Sequence, residues 1–289
     1  MKAATESRAT MNPPANPLII NLAPTGMVPT RQMSPHVPLQ PEEIVPDVLA
    51  AAGVGITIAH IHARDENDRP THRKDVYARI ISALRERRPD LVICVSCSGR
   101  LVQTIAERAE VLDLAGDLRP DMASLTLSSL NFSRQASVNS PEIIRELAQR
   151  MQDRGILPEL EVFDLGMVNI IRYLQDHGLV KPPMYANLLF GNVASAQANL
   201  LEIGTLVSRL PDGVIWSAAG LGSSQLPLLA LGAAWAPAVR LGLEDNLWLD
   251  AARTQLATNL DLVQRTHRLA GALGRSIMTP AAFRSLMKL

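Results

Sequence analysis

The sequence has no surplus charge of either sign: 28 lysines and arginines balance 28 aspartates and glutamates over 289 residues. That balance argues against a nucleic-acid or anionic-membrane partner, since both are held by basic excess. No apolar run is long enough to span a bilayer and no apolar h-region follows the start, so a soluble, cytoplasmic protein is expected. Cysteine is nearly absent. The two present, Cys94 and Cys97, fall in one expected strand and its turn and read as reduced thiols. Their spacing matches a redox motif, but they end a strand rather than open a helix, where such thiols are activated. A phosphate-binding glycine fingerprint is also missing. Gly220-Leu221-Gly222 follows an expected strand but lacks the third glycine, and no ribose-binding acid follows at its distance. A dinucleotide fold is therefore not expected.

What the sequence does contain is a regular alternation. The first sixteen residues are polar and without period, and are expected to be a disordered tail. From Pro17 onward, short apolar runs rich in β-branched residues alternate with helical patterns. The expected strands are 17–22, 56–62, 91–96, 121–126, 159–164, 185–190, 214–219 and 238–242. Helices are expected between them, among them one opened by Gln40-Pro41-Glu42-Glu43 and another over 104–114, with closing helices from about Trp248. Eight strand–helix units in this length predict a single (β/α)8 TIM-barrel domain over 17–289 with a C-terminal helical extension.

The stretch Ile56-Thr57-Ile58-Ala59-His60-Ile61-His62 stands out. Side chains alternate along a strand, so His60 and His62 point the same way at its end, spaced to hold one metal ion. In a barrel the functional groups gather at the carboxyl ends of the strands. The polar residues there include Asn21, Thr25, Ser96, Ser124, Glu161, Arg240, Glu244 and Asp245. Two histidines and a carboxylate are a ligand set for catalytic zinc, and Glu244, just past the eighth strand, is best placed to complete it. On its own it reads more readily as a solvated loop acid. A barrel-facing Glu161 needs a partner, and Arg240 offers a bidentate one, whether for catalysis or only for stability. The turn Ser96-Cys97-Ser98-Gly99 offers backbone N–H groups to a carboxylate.

Several runs in order then carry a resemblance: Thr25-Gly26, His60-Ile61-His62-Ala63-Arg64-Asp65, Met122-Ala123-Ser124-Leu125, Asn131-Phe132, Pro158 to Asp164, and Gly242-Leu243-Glu244-Asp245-Asn246. Together they resemble the β-keto acid cleavage enzymes, over nearly the whole chain from Pro17. The resemblance implies a TIM barrel with zinc on His60, His62 and Glu244. It implies catalytic roles for Asp245, Glu161, Arg240, Ser96 and Ser124, and substrate binding by Thr25, Met27, Ser98 and Gly99. The implied reaction condenses a β-keto acid with acetyl-CoA, giving acetoacetate and a new acyl-CoA, in a homo-oligomer, a tetramer. Three departures stand against the family pattern. Met27 replaces the glutamate of members that take an amino-bearing substrate, the Ser-Thr-Gly-Gly turn reads Ser96-Cys97-Ser98-Gly99, and Ser223 stands where an arginine is common. Competing readings are an amidohydrolase-like metal hydrolase and a non-catalytic zinc-stabilised binding protein. The first wants further histidines at later strand ends, and His36, His72, His177 and His267 fall elsewhere.

Overall fold

The structure, a computed structural model, describes residues 17–289; the expected tail over 1–16 lies outside the described residues. Eight parallel strands close into a barrel: β1 Ile19–Leu22, β2 Ile58–Ile61, β3 Val92–Val95, β4 Met122–Thr126, β5 Leu157–Val162, β6 Met184–Phe190, β7 Val214–Gly220 and β8 Ala238–Leu241. Each pairs with its sequence neighbours, and β8 closes on β1. All eight expected strands are present. The fifth begins two residues earlier than expected, because Pro158, which lacks an N–H, sits at the second strand position where the ladder tolerates it.

The outer helices follow their expected places except after β3. There a continuous helix over 104–114 is replaced by α3 Ile105–Arg108 and a 3-10 turn over Glu110–Asp113. The break falls at Arg108, whose buried guanidinium turns inward to donate to the carbonyls of Cys97 (2.9 Å) and Val138 (3.2 Å). Two short hairpins in the strand-end loops were not expected from sequence: Ala63–Arg64 with Pro70–Thr71, and Leu130–Asn131 with Ala136–Ser137. The closing helices start later than Trp248. The helix Asn259–Ala272, opened by a Thr258/Asp261 capping box, packs beside the first and seventh barrel helices and completes the ring. No described helix is long and apolar enough to cross a membrane.

The barrel interior is layered, and the layering places the site. Inward residues at the amino ends of the strands are apolar: Ile19, Ile58, Val92, Met122, Tyr185 and Ala238 belong to one small core. Two residues further along each of these strands, on the same face, stand Asn21, His60, Cys94, Ser124, Asn187 and Arg240. The apolar floor is sealed from below by the last helix, Pro280–Met287, whose Phe283 and Met287 join that core. Phe283 meets Tyr185 edge-on at 5.7 Å, and Arg284 donates to both oxygens of Asp121 at 2.8 and 2.7 Å. This plug is the helical extension. Removing it should be costly: Phe283→Ala should destabilise the protein by about 3–5 kcal/mol in urea unfolding. A loss below about 1 kcal/mol would mean the helix merely rests on the barrel.

Candidate active site

One cation organises the carboxyl end of the barrel. Arg240, fully buried on β8, donates from Nε to Asp245 Oδ2 (3.0 Å) and from Nη2 to both Asp245 Oδ1 (3.2 Å) and Glu244 Oε1 (2.7 Å). Its Nη1 lies 3.7 Å from Glu161 and 4.0 Å from Glu159. Four carboxylates thus surround one guanidinium. The bidentate partner is Asp245, not Glu161 as the sequence suggested. The reason is proximity in the chain: after Leu241 the strand turns back at once, and the acids four and five residues past Arg240 fold over its guanidinium. That turn depends on Gly242 (φ +143°), where a Cβ would sit 2.0 Å from the Ala23 carbonyl oxygen. Glu244 is seated against Gly26 (φ +70°), where a Cβ would come within 2.5 Å of its Cγ.

The histidine pair faces the same centre. His60 Nε2 and His62 Nε2 are 3.2 Å apart, and Glu244 Oε2 lies 3.3 Å from His62 Nε2 and 3.9 Å from His60 Nε2. These three atoms converge within the reach of a single ion. His62 lies one residue past the end of β2 and keeps the strand's facing. His60 Nδ1 is 2.6 Å from Glu159 Oε2, and Asn21 Nδ2 donates to the other oxygen of Glu159 at 2.6 Å. A carboxylate on Nδ1 places the proton there and leaves the Nε2 lone pair free for a metal. Glu159 is the functional residue that sequence reasoning passed over for Glu161. The available signal was parity: both acids share a strand face, with Glu159 one layer deeper. A second cluster, His60, Cys94 and Glu159, is wholly buried. Burial pushes the Cys94 thiol well above its ordinary range.

The acids divide into two kinds. Burial would raise Glu159 and Glu244, but the charges of His60 and Arg240 respectively override it. Glu159 is held at about 2 and Glu244 well below its usual range. Glu161 and Asp245 go the other way: burial raises both, only partly opposed by Arg240. Two acids held as anions beside two raised above their ordinary range is the pattern of ligand and positioning acids beside proton-transfer acids.

A cavity of about 840 Å³ opens over this centre. Met27, His62, Ser96, Ser98, Glu161, Arg240, Glu244 and Asp245 all line it. Four expected site residues do not, among them His60, which lies deeper against Glu159. Thr25 is buried beside the loop and donates to the Pro38 carbonyl at 2.8 Å, fixing the turn that carries Met27. Ser124 sits one inward position below Thr126 and accepts from the Cys97 N–H at 3.1 Å. Gly99 leaves room for Arg108: a Cβ there would sit 2.6 Å from its Nη1. The N–H cradle is also partly consumed, since Cys97 bonds Ser124 and the Ser98 N–H bonds Ser96 Oγ at 3.2 Å. Thr126, which sequence reasoning missed, lines the cavity and donates to Glu161 at 2.5 Å. His72 sits behind the turn, with Nδ1 3.1 Å from the Ser96 carbonyl and Nε2 3.0 Å from that of Ser98. Burial lowers it to about 4, so it is a neutral brace, donating to one carbonyl at a time.

Known proteins resemble this chain in sequence and in fold. The family profile described as beta-keto acid cleavage enzyme matches residues 17–289. A 3-keto-5-aminohexanoate cleavage enzyme of Fusobacterium nucleatum is 34% identical over 273 residues, 94% of this chain and 98% of that protein. A 3-oxoadipate:acetyl-CoA acetyltransferase of Cupriavidus necator is 33% identical over 277 residues, 94% and 95% of the two chains. Among solved structures, apo ObcA superposes with a TM-score of 0.78 at 22% identity, over 89% of this chain and 66% of that one, a likeness of fold.

Arg240 makes a direct test of the electrostatics. Arg240→Met leaves Glu244 and Asp245 buried without their cation, and should destabilise the protein by about 3–5 kcal/mol at neutral pH. An orphaned buried carboxyl has a raised folded-state pKa, so the variant binds more protons folded than unfolded and regains stability as pH falls. Urea unfolding of both proteins at pH 8 and pH 5 should show the deficit shrinking at the lower pH. A deficit independent of pH would show that lost packing, rather than uncompensated charge, sets the cost.

Proposed function

Because the chain belongs to the β-keto acid cleavage enzyme family, we propose that it is a zinc-dependent enzyme that condenses a β-keto acid with acetyl-CoA, giving acetoacetate and a new acyl-CoA. The observation that carries the metal is the convergence of His60 Nε2, His62 Nε2 and Glu244 Oε2, an oxygen that makes no hydrogen bond among the described residues. Four carboxylates against one guanidinium also favour a divalent cation at that point. A zinc held by these three residues would supply Lewis-acid polarisation of a carbonyl. Acetyl-CoA as co-substrate rests on the names of relatives such as the Cupriavidus necator acetyltransferase.

The chain's own residues supply the rest. Asp245, held through both oxygens by Arg240, is the general base, and Glu161, raised by burial and tied to Thr126, stands next to it in that role. Ser96 and Ser98 stand on the braced turn and orient the substrate carboxylate. Glu159 fixes the His60 ring. The same reading includes a cytoplasmic homo-oligomer, a tetramer by family resemblance. Leu200 and Leu201, 76% and 79% exposed at the start of the helix Leu200–Arg209, offer an apolar surface for it. The amidohydrolase reading gains no support, since His177 and His267 bond the carbonyls of Tyr173 and Gly55.

The experiment pairs metal analysis with a mass-detected acyl-CoA assay over a panel of β-keto acids. The purified protein should hold about one zinc per chain, lost in His60→Ala and Glu244→Gln while circular dichroism shows the fold retained. Asp245→Asn should keep the zinc and lose turnover about a hundredfold or more. A full equivalent of metal in both ligand variants, or no acyl-CoA from any substrate, would defeat the reading.

Met27 addresses the substrate tail. It lines the cavity, at a position where the family resemblance implies a carboxylate in members that take an amino-bearing substrate, and it offers flexible apolar surface instead. Burying an ammonium without a partner costs several kcal/mol, whereas each buried methylene gains about 0.8 kcal/mol. Neutral, apolar-tailed β-keto acids should therefore be preferred over amino-substituted ones in kcat/KM, and Met27→Glu should shift the preference toward the cation. A wild type that prefers the amino form would mean another residue supplies the missing charge.

A further inference from the structure

Of the arginines that line the cavity without a carboxylate partner among the described residues, Arg134 and Arg253 are exposed, and Arg100 is the half-buried one stacked on an aromatic ring. It is half-buried, lines the same cavity as His62 and Glu244, and makes no side-chain hydrogen bond or ion pair with any other described residue. The other arginine at the heart of this site, Arg240, is engaged by carboxylates on three sides. Arg100 is nonetheless held in place. Its guanidinium carbon lies 3.4 Å from the Phe132 ring centroid, and Phe132 meets Phe163 edge-on at 5.8 Å. The turn that carries it is braced by His72 and Arg108. The nearest acids, Glu244, Glu161 and Asp245, are already bound by Arg240, Thr126 or the histidines. A fixed guanidinium on an aromatic face, with its N–H fork open to a cavity, is suited to a planar anion.

We propose that Arg100 is a specificity-determining residue that binds a second carboxylate at the far end of the substrate, so that the preferred β-keto acid is a diacid. This rests on the functional reading above for the reaction, and it sharpens the tail preference assigned to Met27. Methylenes run over the apolar walls formed by Met27, Phe132, Phe163 and Leu189, and the terminal carboxylate reaches Arg100. Any cationic tail is opposed twice, by the uncharged Met27 and by the positive charge of Arg100.

The test is a binding measurement that needs no turnover. The zinc-loaded full-length protein is titrated calorimetrically with adipate and with hexanoate, which match in carbon number and differ in the second carboxylate. Wild type should bind adipate about tenfold or more tightly than hexanoate, as a charged hydrogen-bonded pair implies. Arg100→Met should abolish that preference and leave hexanoate binding unchanged, and Arg100→Lys should recover part of it. Three outcomes overturn the proposal: no preference in wild type, the same preference in Arg100→Met, or equal loss of both ligands, which would put the common carboxylate on Arg100. Titration with CoA closes the remaining route. If Arg100→Met weakens CoA and spares adipate, the anion at Arg100 is a phosphate and the diacid assignment falls. Absence of acyl-CoA formation in the assay above would defeat the reaction while leaving this result readable.

Discussion

The carboxyl end of the barrel depends on the compensation of buried negative charge. Glu159, Glu161, Glu244 and Asp245 all lie within 4.0 Å of the Arg240 guanidinium, with side chains no more than 16% exposed. One permanent cation cannot balance four anions in a medium of low dielectric, so the remainder must be met in other ways. The structure distributes them. Glu159 takes the imidazole of His60 and the Asn21 amide, Glu244 faces both histidines, and Glu161 and Asp245 have raised affinities for a proton. This surplus of acceptors is the feature on which the proposed metal and proton-transfer roles rest.

The same constraint explains how the surrounding loops are built. Groups this costly to bury must not shift, and buried contacts to the main chain tie down the loops around them, beside surface ion pairs such as Arg31–Glu43. Arg64 holds the loop after β1 through the carbonyls of Gly26 and Pro29 (2.6 and 3.0 Å). Asn259 joins that loop to the one after β8 by accepting from Leu243 N and donating to the Pro24 carbonyl. Gln225 donates to the Gly242 carbonyl from the seventh helix. Below, the apolar floor closed by Phe283 keeps water from entering through the amino end.

Much of this was legible in the sequence because it rests on periodicity. Eight apolar runs gave eight strands, and the single-residue spacing of His60 and His62 put both on the inner face. What was not legible required knowing depth as well as direction. Ser124 and Glu159 share faces with Thr126 and Glu161, yet each lies one layer lower. The first became a brace for Cys97, and the second became the partner of His60. Thr25 and Gly99 sit in loops, where no period applies, and their neighbours Pro38 and Arg108 come from distant or unpredictable directions. The arginine pairing failed for a related reason: a strand-to-strand partner was sought, while the tight turn at Gly242 delivered Asp245 from the same chain segment.

Depth also separates chemistry from recognition in this barrel. The charged centre is made by residues whose partners lie within the strands and the turn after β8, where almost every change leaves a buried charge unmatched. The cavity walls are made by loop residues, Met27 after β1, Arg100 after β3 and Phe132 on the hairpin after β4, the last two stacked on each other. A substitution there alters the charge or volume seen by a substrate tail without disturbing the compensation around Arg240. The relatives named for an amino-bearing acid and for an oxoadipate, both about one third identical to this chain, are the kind of divergence such a division permits. In this barrel the upper loops are free to vary where the buried charges of the lower layers are not.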